Sequence, residues 1–434
     1  MQDYSSKEMK EDIESSGTQN NSWIYCNTKS IYQIHSGWKF YIPVTPDLFN
    51  DTLKVIKPIF NKFNISYKYP INTKTLVKIN LGSYGWSQIG KNIVFYMPQI
   101  NTQLLAEIST LLLEKNRPYP KVHHAIELIK DIPIYYRHGN YHNFDKKDDR
   151  FNFDNHKIDK SIIMDLESIL NIEKKTDKEI DSFLLNYPVF DIITQSGKGG
   201  VFKSIDFSQK KFTEVIVKIG YNVGGVQENG IDGKTLLLNE RLFLEKLKRK
   251  SIKEFKTPDI LDFKVNKNSS IVYKFIEGVS GVEKYIDNNL TPIEIRNCLR
   301  AIIELHYNGI IWGDAKIGNF IWDIDGSLNM IDFELSHDTG TDRLCELRTF
   351  NIIDISKKTS PEDNDIIDFL VSVLFEHSID RQSEIYLEQF LKKDYSSEVK
   401  KACQKFLKET LQRIDEKRPT TMAIINTGLV LNPK

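Results

Sequence analysis

Two neighbouring stretches decide the fold: Gly309-Ile310-Ile311-Trp312-Gly313-Asp314-Ala315-Lys316-Ile317-Gly318-Asn319-Phe320 and Met330-Ile331-Asp332-Phe333-Glu334. The first has the spacing D-x-K-x-x-N. A short predicted hairpin separates it from the second, an apolar strand that ends in D-F. Asp314 is suited to orient an acceptor hydroxyl and take up its proton, and Lys316 to neutralise a transferred phosphoryl group. Asn319 and Asp332 offer the hard oxygen ligands that Mg²⁺ prefers.

Further features precede this motif in the order that a protein-kinase-like fold requires. A glycine-rich stretch, Gln195–Phe202, lies between two strand-like runs, and an apolar strand ends in Lys218. A helical run offers Glu240 as the partner of Lys218, and Ile271–Gly278 has the pattern of a hinge between two lobes. The predicted nucleotide-binding residues are Gly197, Gly199, Gly200, Lys218 and Glu240.

The motif departs from regulated signalling kinases at three positions. Trp312 replaces the usual histidine, Gly313 the arginine before the catalytic aspartate, and Glu334 the glycine of D-F-G. Without that arginine, we expect phosphorylation of an activation loop not to control the site. The residues Asp314, Asn319 and Asp332 are nevertheless retained.

The composition of the chain is that of an ordinary globular protein. Of its 434 residues, 40% are hydrophobic and 27% charged, and Lys+Arg and Asp+Glu both number 59. This zero net charge gives no global field toward nucleic acid or an anionic membrane. The N-terminus lacks an apolar signal-peptide region, and no window is long and apolar enough to predict a membrane helix. The scattered Cys26, Cys298, Cys345 and Cys403 match no zinc or disulfide spacing, so we expect a cytoplasmic protein without zinc.

The chain before the kinase-like part alternates strand and helix patterns, which predicts a small α/β domain. The predicted fold class is α+β: a small α/β lyase-like domain followed by a bilobal protein-kinase-like fold. The predicted boundaries are a disordered segment at 1–30, the lyase-like domain at 31–142, a linker and helical lead-in at 143–185, and the kinase-like domain at 186–434. Its N-lobe would span 186–278 and its C-lobe 279–434.

The string Gly37-Trp38-Lys39-Phe40-Tyr41 resembles the opening of the lyase domain of class III and IV lanthipeptide synthetases. Matching pieces follow in the same order: Ser66-Tyr67-Lys68, Gly90–Tyr96, Arg117-Pro118-Tyr119-Pro120 and Tyr135-Tyr136-Arg137-His138-Gly139. In that family such a domain precedes an atypical kinase with a D-F-E strand. The resemblance covers about residues 35 to 430.

The resemblance implies that Ser and Thr of a ribosomal precursor peptide with a leader are phosphorylated with ATP or GTP and Mg²⁺. Phosphate is then eliminated to leave dehydroamino acids. Lys68 matches the base position of the family, and Lys39, Lys91 and Arg137 match phosphate-binding positions. The family's usual general acid is a histidine at the position of Tyr41, so Tyr41 or the nearby His138 would serve here.

These synthetases normally continue into a cyclase domain, whereas this chain stops at Lys434. Either the chain is a truncated piece, or it is a stand-alone dehydratase served by a separate cyclase. Three alternatives use the same motifs differently: a plain Ser/Thr kinase whose N-terminal domain only binds substrate, a pseudokinase scaffold, and a small-molecule kinase.

Overall fold

The computed structural model describes residues 18–19, 22–27, 36–115, 118–141, 156–172, 182–208, 212–250, 252–342, 359–374 and 391–416. About half of the predicted linker, together with Arg117 and Cys345, lies outside the described residues. The contacts divide the chain into two units, which are described separately. Unit 1 comprises 1–210, 218–235 and 265–270, and unit 2 comprises 211–217, 236–264 and 271–434. Helices and several sheets are both present, so the predicted α+β class is confirmed.

The strands of the described residues are β1 (Thr18–Gln19), β2 (Trp23–Cys26), β3 (Ser36–Ile42), β4 (Ser66–Pro70), β5 (Ile93–Met97), β6 (Ile126–Glu127), β7 (Tyr135–Asn140), β8 (Val189–Ser196), β9 (Gly199–Asp206), β10 (Thr213–Gly220), β11 (Ile260–Val265), β12 (Ser269–Lys274), β13 (Gly278–Ser280), β14 (Ile310–Ile311), β15 (Phe320–Asp323), β16 (Leu328–Met330) and β17 (His337–Asp338).

The helices are α1 (Phe49–Lys62), α2 (Thr73–Leu81), α3 (Thr102–Lys115), α4 (Lys160–Ile169), α5 (Ser182–Asn186), α6 (Gly233–Lys248), α7 (Gly281–Ile286), α8 (Pro292–Tyr307), α9 (Pro361–Leu374) and α10 (Glu398–Asp415). Of the helices described, none is long and apolar enough to cross a membrane.

Unit 1 contains an antiparallel sheet with the described strand order β1-β2-β4-β5-β3-β7-β6. Successive side chains of a strand point to opposite faces, so each strand divides its residues between two environments. Phe40, Phe95 and Tyr136 pack into the larger hydrophobic core, together with residues of α1 and α3. Tyr41 and Tyr135, each one position away, belong to a smaller cluster on the opposite face.

The prediction that residues 1–30 are disordered is wrong for β2. Ile24 and Cys26 are buried in the larger core, and β2 pairs with β4. Its alternate residues, Trp23 and Tyr25, therefore lie on the other face. Four residues between polar segments are too short a pattern for a strand to be predicted from periodicity.

A second sheet has the strand order β11-β12-β10-β9-β8, and the boundary between the two units runs within β10 and β12. In unit 2, α8 begins with Pro292 after Thr291, which forms a capping box with Glu294. Such a box satisfies backbone donors that the first helical turn leaves open. α8, α9 and the short strands β14 to β16 contribute to one hydrophobic core. This core carries the loop that joins β14 to β15.

Candidate functional site

Four basic side chains of unit 1 are gathered on the face of the seven-stranded sheet that is opposite the larger core. Lys39 of β3 is the register partner of Arg137 of β7, and Tyr41 lies two residues further along β3. Lys68 of β4 is the partner of Tyr25. Lys91 precedes β5, and its ammonium lies 4.8 Å from the centre of the Tyr41 ring. We call this surface, with Lys39, Lys68, Lys91, Arg137 and Tyr41, the cationic face.

The lysines of the cationic face have lowered pKa values. Burial and the Arg137 charge lower the pKa of Lys39 from 10.5 to about 8, and burial and the Lys39 charge lower that of Lys68 to about 8. Burial, Arg137, Lys39 and Lys68 together lower the pKa of Lys91 to about 7. Among the described residues, none of the three lysines forms an ion pair with a carboxylate. Like charges held together in this way favour a neutral lysine or a bound anion.

Aromatic rings complete the cationic face, and sequence reasoning missed most of them. The Lys68 ammonium lies 4.3 Å from the Trp23 ring centre and 5.5 Å from that of Tyr25. Burial raises the pKa of Tyr41, so its hydroxyl keeps its proton. His124 also belongs to this neighbourhood, because the charges of Lys91 and Arg137, after burial, lower its pKa.

His138, predicted as an alternative acid, is not brought to the cationic face. Its register partner is Trp38, and its ring packs 4.9 Å from the Trp38 ring and 5.2 Å from that of His156. Because neighbouring residues of a strand point to opposite faces, His138 points away from the side that Arg137 occupies. The structure therefore leaves Tyr41 as the predicted acid on this face.

The catalytic loop, Trp312–Asn319, holds its aspartate through direct contacts in unit 2. Lys316 Nζ lies 2.6 Å from Asp314 Oδ2. Asn319 Nδ2 donates to the same oxygen at 3.0 Å and to the Asp314 backbone carbonyl at 2.9 Å. Since the Asn319 nitrogen is engaged, its side-chain oxygen is the atom suited to bind a cation. The structure thus brings together three residues that the D-x-K-x-x-N spacing predicted.

A buried aspartate of α9 fixes the start of this loop. Asp365 accepts the backbone N–H of Trp312 at 2.8 Å and that of Gly313 at 2.9 Å. His306 of α8 lies 3.0 Å from the same carboxylate. Charge-assisted hydrogen bonds of this kind are stronger than neutral ones, so Asp365 acts as a positioning residue. Its role was not predicted from the sequence.

Trp312 retains a donor where the usual histidine would stand. Its indole N–H donates to the backbone carbonyl of Asp332 at 3.1 Å. An imidazole N–H is the same kind of donor. Asp332 has a φ of +64°, which a non-glycine residue rarely adopts without support. The departure at Trp312 therefore preserves a link between the catalytic loop and the predicted metal ligand.

The backbone conformation and packing at position 313 require a glycine. Its φ is +80°, and a Cβ at this position would lie 2.5 Å from the carbonyl oxygen of Leu335. An arginine would meet both obstacles, so the absence of the usual arginine has a steric reason.

Glu240, Asp332 and Glu334 bring carboxylate oxygens within 4.8 Å of one another, close enough to hold a metal ion. Three carboxylates form a donor set of the type that Mg²⁺ takes. Glu240 thus lies beside the predicted metal ligand. Its expected pairing with Lys218 stays a prediction, since Lys218 belongs to unit 1 and Glu240 to unit 2.

The predicted nucleotide-binding glycines lie in the hairpin between β8 and β9. Gly197 donates its N–H to the Leu81 carbonyl at 3.1 Å, and a Cβ there would lie 1.6 Å from the Asn80 carbonyl oxygen. A Cβ on Gly199 would lie 2.0 Å from the Ile219 carbonyl oxygen, and one on Gly200 would meet the Phe202 ring. Each glycine therefore has a packing reason within unit 1, and nucleotide binding by them stays a prediction.

The comparisons with known proteins match one family model and include a curated relative. Residues 3–157 match the family model described as "RamC, N-terminal domain". This part is thus similar to a domain of the lanthipeptide-synthetase type. A curated relative, the serine/threonine-protein kinase STE20 of Debaryomyces hansenii, is 27% identical over 145 residues. That match covers 32% of this chain and only 12% of the relative.

Proposed function

We propose that this chain is a lanthipeptide dehydratase-type enzyme that phosphorylates Ser and Thr of a precursor peptide and then eliminates the phosphate. The observation that carries the proposal is the cationic face, where Lys68 has a pKa of about 8 beside Lys39 and Lys91. A lysine with this pKa is about one-tenth neutral at pH 7, against about 0.03% for an ordinary lysine. A neutral amine surrounded by cations is suited to act as a base beside a bound phosphate.

In the first step, Asp314 would orient the substrate hydroxyl and accept its proton while the oxygen attacks the terminal phosphorus of ATP or GTP. The bond from that phosphorus to the nucleoside diphosphate breaks, and Lys316 would neutralise charge on the transferred group. The oxygens of Asn319 and Asp332 would hold Mg²⁺, with Glu240 and Glu334 close to Asp332. When bound, this ion would neutralise the phosphate oxygens.

In the second step, Lys68 would remove the Cα proton of the phosphorylated residue. The electron pair forms the carbon–carbon double bond as the Cβ–oxygen bond breaks. Lys39, Lys91 and Arg137 would bind the departing phosphate, and Tyr41 would give it a proton. The lowered pKa of Lys68 has the direction that a base needs. The raised pKa of Tyr41 keeps its hydroxyl protonated, and a bound phosphate would favour the charged forms of Lys39 and Lys91.

Mass spectrometry of a Ser- and Thr-containing precursor peptide co-expressed with the enzyme tests the proposal. We expect loss of one water per modified residue with the wild-type chain. Lys68→Ala should instead accumulate the phosphorylated peptide, because phosphorylation continues without elimination. Lys54→Ala, at an exposed position of α1, is the matched control and should dehydrate normally. Dehydration that persists in Lys68→Ala would show that Lys68 is not the base.

A plain Ser/Thr protein kinase is the second candidate. Part of the chain is similar to STE20, and that relative is named as a serine/threonine-protein kinase. Under this reading the N-terminal domain only binds the substrate. The wild-type enzyme would then give a stable phosphopeptide, and a chemically phosphorylated peptide would remain unchanged on incubation. Observation of any dehydrated product excludes this candidate.

The proposed partner follows from the same reading: a ribosomal precursor peptide with a leader. ATP and GTP remain equal candidates for the phosphoryl donor. Competition between them during peptide phosphorylation would identify which is used.

A further inference from the structure

Asn239, one residue before Glu240 on α6, bridges two backbone carbonyls of the segment that follows Asp332. Its Nδ2 donates to the Glu334 carbonyl at 3.0 Å and to the Ser336 carbonyl at 2.8 Å. An amide NH₂ group has two donors, and both are used here. The accepting residues are buried, with 3% and 1% of their surface exposed. We call Asp332–Ser336 the Asp332 segment.

Other contacts hold the same segment from the catalytic-loop side. The Ser336 hydroxyl donates to the Trp312 carbonyl at 3.1 Å. β17 follows the segment directly and pairs with β14, which precedes the catalytic loop. Lys246, two helical turns after Asn239, forms a salt bridge with Asp338 of β17. α6 is thus tied to the Asp332 segment and to the strand that follows it.

In regulated kinases, the helix that carries the conserved glutamate and the D-F-G segment are set by phosphorylation of the activation loop. In those kinases, an arginine before the catalytic aspartate binds the phosphate that is added to the activation loop. Here that position is Gly313, where φ is +80° and a Cβ would lie 2.5 Å from Leu335 O. The direct bridge from Asn239 therefore links α6 to the Asp332 segment without any phosphate.

Asparagine also has a poor propensity for the interior of a helix. Its place in the middle of the 16-residue α6 calls for a tertiary reason, and the two hydrogen bonds provide one. By holding α6 against residues 334–336, Asn239 also keeps Glu240 near Asp332 and Glu334.

We propose that Asn239 is a positioning residue that keeps α6 and the Asp332 segment assembled, so that the kinase site needs no phosphorylation of its own chain. This inference rests on the proposed kinase step and names how that step is regulated.

Asn239→Leu and Asn239→Ala in the full chain test the inference. Leucine is close to asparagine in size and has neither donors nor charge, so a role in packing alone would leave Asn239→Leu close to wild type. A donor role makes both variants slower in peptide phosphorylation, by about 10-fold, because two buried carbonyls lose their partner. We also expect a higher Mg²⁺ concentration for half-maximal rate, since Glu240 and Asp332 are no longer held together. Leu242→Ala, on an exposed position of the same helix, should match the wild type.

Elimination from a chemically phosphorylated peptide should be unchanged in both variants, because the cationic face lies in unit 1. Thermal unfolding like that of Leu242→Ala shows that unit 2 is folded. Wild-type enzyme treated with a protein phosphatase should keep its full phosphorylation rate. The inference is overturned if either variant phosphorylates within twofold of wild type, or if phosphatase treatment inactivates the wild type.

Calorimetry separates this inference from the proposed function. If the wild type phosphorylates no peptide, the proposed function fails, and Mg²⁺-dependent nucleotide binding still tests Asn239. We expect binding about 10-fold weaker in both variants than in Leu242→Ala. Equal affinity, or no Mg²⁺-dependent binding by any of them, rejects the positioning role.

Discussion

The cationic face and the catalytic loop each contain several charged groups, but the loop pairs opposite charges whereas the face gathers like charges. In the catalytic loop, Asp314 is within 3.0 Å of the Lys316 and Asn319 nitrogens. On the cationic face, Lys39, Lys68 and Lys91 have no carboxylate partner among the described residues, and their pKa values fall to between about 7 and 8.

The difference indicates what each site is built to receive. A site of mutually repelling cations gains most from an incoming dianion such as a phosphate ester, which relieves the repulsion. A loop with its charges already paired gains little from binding but holds its groups in fixed geometry. The comparison therefore favours positioning for the catalytic loop, and anion capture with proton removal for the cationic face.

The largest expected effect separates the two sites completely. Asp314→Asn removes the proposed proton acceptor while keeping a similar shape, so peptide phosphorylation should fall by about 10³-fold. Elimination from a chemically phosphorylated peptide should stay at the wild-type rate, because Asp314 belongs to unit 2 and the cationic face to unit 1. Both rates can be followed by mass spectrometry of the peptide. A parallel loss of elimination would mean that the two activities share one site.

The pH dependence of the two reactions should differ in the same way. In the proposed mechanism, elimination at limiting phosphopeptide needs Lys68 to be neutral, and the pKa of Lys68 is about 8. Below that value the neutral fraction falls about tenfold per pH unit, so the rate should fall about tenfold between pH 7 and pH 6. Phosphorylation does not depend on this lysine and should change much less over that range. An elimination rate that is flat from pH 6 to pH 8 would contradict the assignment of Lys68.

A smaller effect tests the link between the catalytic loop and Asp332. Trp312→Phe keeps a ring in the core but loses the indole donor to the Asp332 carbonyl. We expect phosphorylation to slow by roughly 5- to 10-fold, the effect of one buried hydrogen bond. Trp312→His can restore an N–H donor and should be faster than Trp312→Phe in the same assay. If the two variants are equally slow, packing of the indole rather than its N–H matters.

Some of this architecture could be predicted from the sequence, and the reason differs between the sites. The catalytic loop is local, so the spacing of Asp314, Lys316 and Asn319 already specifies their contacts. The alternation of a strand also separates Arg137 from His138, which the sequence alone could have shown.

Other features depend on parts of the chain that meet only in the fold. Trp23 reaches Lys68 through the pairing of β2 with β4, which are over 40 residues apart. The bonds from Asn239 to Glu334 and Ser336, and from Asp365 to the loop, likewise join distant segments. No periodicity or short motif encodes such contacts, because they arise from tertiary packing.

The smallest expected effect concerns stability. It tests whether the lysines of the cationic face repel one another and so destabilise the folded chain. Burial and Lys39 lower the pKa of Lys68 from 10.5 to about 8. Between these values the folded chain has lost a proton that the unfolded chain keeps, so this group makes the free energy of unfolding rise with pH across that window. Below pH 8 Lys68 is charged in the folded chain, where burial and the Lys39 charge make that charge unfavourable. Lys68→Met keeps the side chain's length and removes that cost.

We therefore expect the Tm of Lys68→Met to exceed the wild-type value by about 2–4 °C at pH 7. The difference should shrink toward pH 10, where the wild-type lysine is neutral in the folded chain. Lys54→Met, at an exposed position, controls for the loss of a charge and should leave the Tm unchanged at both pH values. Thermal unfolding by circular dichroism at pH 7 and pH 10 measures both. A Lys68→Met chain less stable than wild type at pH 7 would mean that the contact of the ammonium with the Trp23 ring, 4.3 Å away, outweighs the repulsion. The cationic face would then be a structural cluster rather than a site kept ready for an anion.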